Sequence, residues 1–174
     1  MRILLTGGSG CGKSTYAEQL ARELPAPRYY LATMRPYEAE SRAKIARHQA
    51  QRADAGFVTI ERETDVGGVD FPARGTVLLE CMCNLLANEM FDDLGNERDA
   101  YDTILTGIRT LEEKCDTSIV VTNEVGSDGG AYGASTARYI ETIGRLNGAL
   151  AARFDAVAEL VCGIPLVLKG QLPT

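Results

Sequence analysis

The stretch Gly7-Gly8-Ser9-Gly10-Cys11-Gly12-Lys13-Ser14-Thr15 (GGSGCGKST) follows the mostly apolar run Arg2 to Thr6 (RILLT) and opens a segment with helical spacing. It fits the pattern G-x-x-x-x-G-K-S/T, with Gly7, Gly12, Lys13 and Ser14 at the required positions. Glycines let backbone amides face a phosphate with no Cβ in the way, and the helix that follows adds its positive N-terminus. Lys13 then reaches the outer phosphates and Ser14 ligates Mg²⁺. The alternative, a glycine-rich turn that binds nothing, is disfavoured because the motif sits between an apolar strand and a helix. The expectation is a nucleoside triphosphate site built on Gly7, Gly8, Ser9, Gly10, Cys11, Gly12, Lys13, Ser14 and Thr15.

Outward from this loop, short apolar runs alternate with helical segments. Strands are expected at Arg2 to Thr6, Arg28 to Thr33, Phe57 to Glu61, Thr76 to Cys81, Ser118 to Glu124 and Asp155 to Gly163, with PLVLK (165–169) as a further edge strand. Helices are expected at Lys13 to Leu24, Pro36 to Arg52, Met82 to Asp92, Arg98 to Lys114 and Ser135 to Arg153. Alternation of this kind predicts an α/β fold: a mostly parallel sheet with helices on both faces, its ligands at the carboxyl ends of the strands. With 174 residues, 45% of them hydrophobic, and no repeat or linker, the expectation is one domain over 1–174.

No apolar run reaches the length of a membrane span, and Met1 to Thr6 runs into glycines without the order of a secretory signal; a soluble, cytoplasmic chain is expected. A net charge of -6 argues against nucleic acid and for a small-molecule partner. Cys11, Cys81, Cys83, Cys115 and Cys162 form an odd set without a C-x-x-C pair, which disfavours a disulfide framework or structural zinc.

Other residues choose among triphosphate chemistries. The N-K-x-D signature of a switch GTPase is absent, Thr122-Asn123-Glu124-Val125 standing in its place. The apolar run Val77-Leu78-Leu79 ends in Glu80 and then Cys81, not in the Asp-Glu pair of a motor ATPase. Glu80 is therefore either a carboxylate for the Mg²⁺ shell or a strand-end group facing solvent. In PYEAESRAKIARHQAQR (36–52), Lys44, His48 and Arg52 recur every four residues and form one helical ridge. His48 is the chain's sole histidine. It reads as a solvated side chain among surface charges, or as a nucleophile kept unprotonated by its cationic neighbours.

Taken together and in order, LLTGGSGCGKSTYAE, YLAT ending at Thr33, the helix with His48 and Arg52, TIE ending at Glu61, LLEC ending at Cys81, TNEVG (122–126) and GRLNGALAARFDAV (144–157) resemble one family across nearly the whole chain. The chain resembles the bifunctional adenosylcobinamide kinase/adenosylcobinamide-phosphate guanylyltransferases. The resemblance implies a RecA-like P-loop fold with ATP and GTP as substrates, Mg²⁺ at Ser14 and Glu80, a corrinoid acceptor and a homotrimer. It also implies His48 as the residue that becomes guanylylated, and nucleotide contacts at Ala32, Thr33, Met34, Gln49, Arg52, Glu61 and Glu80. Departures are SDGGAYGAS (127–135) in place of an apolar, proline-containing loop, Phe57 for tryptophan, and Cys11 for serine. Two other readings remain open to the residues alone: a small-molecule kinase limited to phosphoryl transfer, and a non-catalytic nucleotide-binding module.

Overall fold

A computed structural model describes residues 1–35, 56–126 and 129–173. Seven strands form one sheet: β1 (Arg2–Thr6), β2 (Arg28–Ala32), β3 (Phe57–Glu61), β4 (Thr76–Leu79), β5 (Thr117–Val121), β6 (Ala156–Val161) and β7 (Ile164–Lys169). Their order across the sheet is β3-β2-β4-β5-β1-β6-β7. All neighbours run parallel except β7, which returns antiparallel along β6. The helices are α1 (Lys13–Arg22), α2 (Met82–Met90), α3 (Tyr101–Lys114) and α4 (Ala134–Arg153), with a short 3-10 turn at Val66–Gly68. The expected helix over 36–52 lies outside the described residues.

The central strands are apolar on both faces because both faces are covered. Leu4 stands in register with Val120 and Val157, and Val120 with Leu79. These four point to one side and pack with Leu85, Leu86, Ile104, Ile108, Ile143, Leu146 and Leu150 of α2, α3 and α4. On the other side Ile3, Leu5, Ile119, Val121, Ala156 and Ala158 meet Ala17, Leu20 and Ala21 of α1. Alanines in this second contact seat α1 close to the sheet, over β1, β4 and β5. The single turn between β1 and α1 must therefore be tight, and it is the glycine-rich loop.

Element ends depart from the periodicity by a few residues, each for a local reason. Helix α2 stops at Met90 rather than Asp92 because Phe91 pairs with Glu97 in an isolated bridge. Helix α3 begins at Tyr101 rather than Arg98, where Asp99 Oδ1 accepts the Tyr101 N–H at 3.0 Å. The edge strand is real, and its direction follows from the two-residue connection at Cys162 and Gly163.

The close seating of α1 yields a test. Ala17 is fully buried, so Ala17→Leu forces extra volume between α1 and the sheet at a cost of about 1–3 kcal/mol. Urea denaturation is expected to show that loss, together with weaker triphosphate binding, since α1 carries Lys13 and Ser14. An unchanged urea midpoint would contradict the packing described.

Candidate active site

At Gly7 the chain turns with φ of 139°, a conformation that disfavours a side chain, and a Cβ there would stand 2.6 Å from the Leu160 carbonyl oxygen of β6. The Gly7 carbonyl accepts from the Glu124 N–H at 3.2 Å and from Lys13 Nζ at 2.9 Å. Lys13 Nζ also donates to the Gly8 carbonyl at 2.6 Å. Only 6% of Lys13 is exposed, and an ammonium at that depth needs partners. The loop's own carbonyls supply them, holding the charge inside the turn where phosphate oxygens compete for it. Gly12 ends the loop with φ of 96° and caps α1, so the first free amides of α1 open on the same concavity.

Strand order decides what faces this loop. Because β5 lies between β1 and β4, the ends of β1 and β4 are one strand apart and leave a gap at the carboxyl rim. A cleft of about 440 Å³ occupies it, lined by Ser9, Gly10, Gly12, Lys13, Ser14, Thr15, Met34, Glu80, Cys81, Asn84, Val121 and Asn123. Glu80 is thus across the cleft from Lys13 and Ser14. Its Oε2 accepts the Thr33 N–H at 3.3 Å, and Thr33 Oγ1 donates to the Cys81 carbonyl at 3.0 Å. Thr33 is completely buried, so its work is to fix the carboxylate from behind. Asn88 of α2 completes the support, donating from Nδ2 to the Thr33 carbonyl at 2.8 Å and the Glu63 carbonyl at 3.0 Å.

A second network stands behind Asn123. Asn147 of α4 accepts from Thr122 Oγ1 at 2.7 Å and donates to the Asn123 carbonyl at 3.3 Å, which fixes the turn out of β5. Cys81 caps α2, its Sγ accepting the Asn84 N–H at 3.5 Å. Hydrogen bonds from Cys81, Tyr139 and Asn123 to the Cys83 sulfur outweigh the opposing effect of burial and lower its thiol to about 6. Cys81, which keeps the proton it donates, is raised; burial first, and then the neighbouring Cys83 charge, raise Tyr139. A thiolate in the first turn of α2 is also favoured by the helix N-terminus. The Tyr139 hydroxyl also donates to the Cys83 carbonyl at 3.0 Å, which ties α4 to the first turn of α2.

The cleft gathers six of the expected loop residues together with Met34 and Glu80. Ala32 and Thr33 lie buried beneath it. Glu61 is exposed at the end of β3, four strand spacings from β1, or about 19 Å. That places it outside the phosphate cleft. His48, Gln49 and Arg52 lie outside the described residues. Sequence reasoning passed over Cys81, Asn84, Val121 and Asn123 as lining residues, because only the strand order brings β5 and the start of α2 to the loop. The TNE run at the end of β5 was the available signal. Asn147 is the packing hydrogen-bonder that its place on the α4 face suggests.

A phosphate loop after β1, an acidic strand end two positions away and a third strand between them define a P-loop nucleotide-binding protein of RecA-like strand order. Residues 3–168 match the family model described as cobinamide kinase / cobinamide phosphate guanyltransferase. The chain belongs to that family, whose members are transferases acting with nucleotide substrates. It is 32% identical over 178 residues to the bifunctional adenosylcobalamin biosynthesis protein CobP of Pseudomonas aeruginosa, covering 98% of this chain and 99% of that protein. It is also 32% identical over 184 residues to the bifunctional adenosylcobalamin biosynthesis protein CobU of Salmonella typhimurium, covering 97% and 100%. The corresponding Escherichia coli protein is 31% identical over 185 residues, with 97% and 100% covered. Among the described residues no helix is long and apolar enough to cross a membrane.

Asn147→Ala tests the support of the cleft wall. It orphans Thr122 Oγ1 and the Asn123 carbonyl, a loss of about 1–3 kcal/mol, and should weaken triphosphate binding as the β5 exit loosens. Calorimetry and denaturation on one preparation check both effects; a variant equal to wild type in each would show that the network does not hold the wall.

Proposed function

We propose that this chain, as one domain over residues 1–174, phosphorylates adenosylcobinamide and then guanylylates the product through His48 to give adenosyl-GDP-cobinamide. The observation that carries the reading is the convergence of Lys13, Ser14 and Glu80 on one cleft in a chain of this family. In the first reaction the loop amides and Lys13 hold the triphosphate. The acceptor hydroxyl attacks the γ-phosphorus, the bond to the β-phosphate oxygen breaks, and the hydroxyl proton leaves. In the second, a His48 ring nitrogen attacks the α-phosphorus of GTP and pyrophosphate departs, leaving a phosphoramidate. An oxygen of the corrinoid phosphate then displaces the nitrogen and frees His48.

Support for His48 comes from its place in the family pattern and from topology. In the sequence its segment follows Met34 and Arg35, and Met34 lines the cleft. Arg35 is held by ion pairs with Glu63 and Asp93, each at 3.2 Å. Ser14 and Glu80 offer a hydroxyl and a carboxylate oxygen, hard donors that suit Mg²⁺ arriving with the phosphates. Bound there, Mg²⁺ would supply neutralisation of phosphate charge. Gln49, Arg52 and Glu61 are assigned to the nucleotide beyond the phosphates.

Incubation with α-labelled GTP and Mg²⁺ is expected to leave acid-labile label on the chain, absent from His48→Ala, whereas γ-labelled GTP leaves none on His48. Lys13→Ala should lose both transfers by about 100-fold or more while remaining folded by circular dichroism. Equal labelling of His48→Ala would end the nucleophile assignment and leave a kinase limited to phosphoryl transfer.

We also assign the enzyme to the cytoplasm as a homotrimer. Ile164, Leu166, Val167 and Leu168 of the edge strand β7 are exposed and give an apolar surface to a neighbouring copy. Light scattering should return the mass of three chains, and a monomer at micromolar concentration would refute the assembly.

A further inference from the structure

Among the described residues the phosphate loop meets the β6–β7 hairpin both at its entry and at its apex. At its entry, Gly7 lies against Leu160 of β6 so closely that a Cβ would stand 2.6 Å from the Leu160 oxygen and 3.3 Å from its nitrogen. At its apex, the Cys11 carbonyl accepts the Gly163 N–H at 2.8 Å. A Cβ on Gly12 would meet the Gly163 Cα at 3.2 Å. Leu160 belongs to β6, whereas Gly163 belongs to the two-residue turn into β7.

We infer that the turn Cys162-Gly163 positions the phosphate loop: its Gly163 N–H fixes the loop apex in the conformation that accepts a triphosphate. Both turn residues have positive φ, 50° at Cys162 and 81° at Gly163. That is the primed hairpin turn whose preferred first residue is Asn and whose second is Gly. Cysteine at the first position is disfavoured there, so the chain carries a turn weaker than the geometry allows. The Cys162 side chain is itself exposed, so it adds no packing at the tip of the turn. The identity of residue 162 therefore acts on the loop through the turn, without touching nucleotide. When the apex is held only part of the time, apparent affinity falls by the fraction competent.

The inference rests on the reading that Gly7 to Thr15 cradles phosphates, and the test separates the two. Calorimetric titration of Mg²⁺ with a non-hydrolysable GTP analogue is run on the full chain and three variants, with guanosine, which lacks phosphates, as the control ligand. Gly163→Pro deletes the N–H and conflicts with the positive φ; it should weaken the triphosphate analogue by about tenfold and leave guanosine unchanged. Cys162→Val should weaken the analogue and Cys162→Asn should tighten it, so that the two differ by about threefold or more. A turn that served only the fold would move the melting temperature without changing analogue affinity measured well below it. Folded Gly163→Pro binding the analogue as wild type does overturns the inference; should that variant not fold, equal affinities for Cys162→Val and Cys162→Asn overturn it. Wild type that binds no triphosphate overturns the phosphate-site reading itself, and this inference with it.

Discussion

Everything in this molecule that bears on phosphate depends on the contact between Gly7 and Leu160. The end of β1 is pressed against the backbone of β6, and only a residue without a Cβ lets the chain turn there directly into α1. The tightness follows from the alanines between α1 and the sheet, which bring the helix down over β1, β4 and β5. With the helix seated so low, its first amides and Lys13 have one direction to face. The cleft at the carboxyl rim is the consequence.

The opposite wall is assembled by hydrogen bonds instead of packing. Glu80 is held by Thr33, Thr33 by Asn88, and Asn123 by Asn147. Each is a buried or half-buried polar group with a partner, so each loss leaves another group unsatisfied. The two walls differ in kind. One is set by steric exclusion around a glycine, the other by a chain of donors and acceptors that reaches back to α2 and α4.

The phosphate loop was legible because its chemistry is local: spacing within nine residues decides which amides and which lysine meet the ligand. The central strands were legible for a related reason, since burial on both faces makes them short, mostly apolar runs. Strand order was not. That β5 enters between β1 and β4 depends on contacts between residues more than a hundred positions apart, such as Leu4 with Val120. With the order hidden, Asn123 and Asn84 looked like a strand exit and a helix residue, and the hydrogen bond from Thr33 to Glu80 was out of sight. The boundary at Met90 was hidden likewise, because it is set by Phe91 pairing with Glu97 and not by helix propensity.

The central claim is that one cleft, walled by Gly7 to Thr15 on one side and by Glu80, Asn84 and Asn123 on the other, holds the triphosphate. Hydrogen exchange followed by mass spectrometry, with and without Mg²⁺ and a non-hydrolysable GTP analogue, tests it most directly. The account predicts slowed exchange in peptides covering residues 8–15, 80–84 and 121–124, with the amino ends of the same strands unaffected. Protection confined to other parts of the chain, with the loop amides exchanging as freely as before, would contradict it.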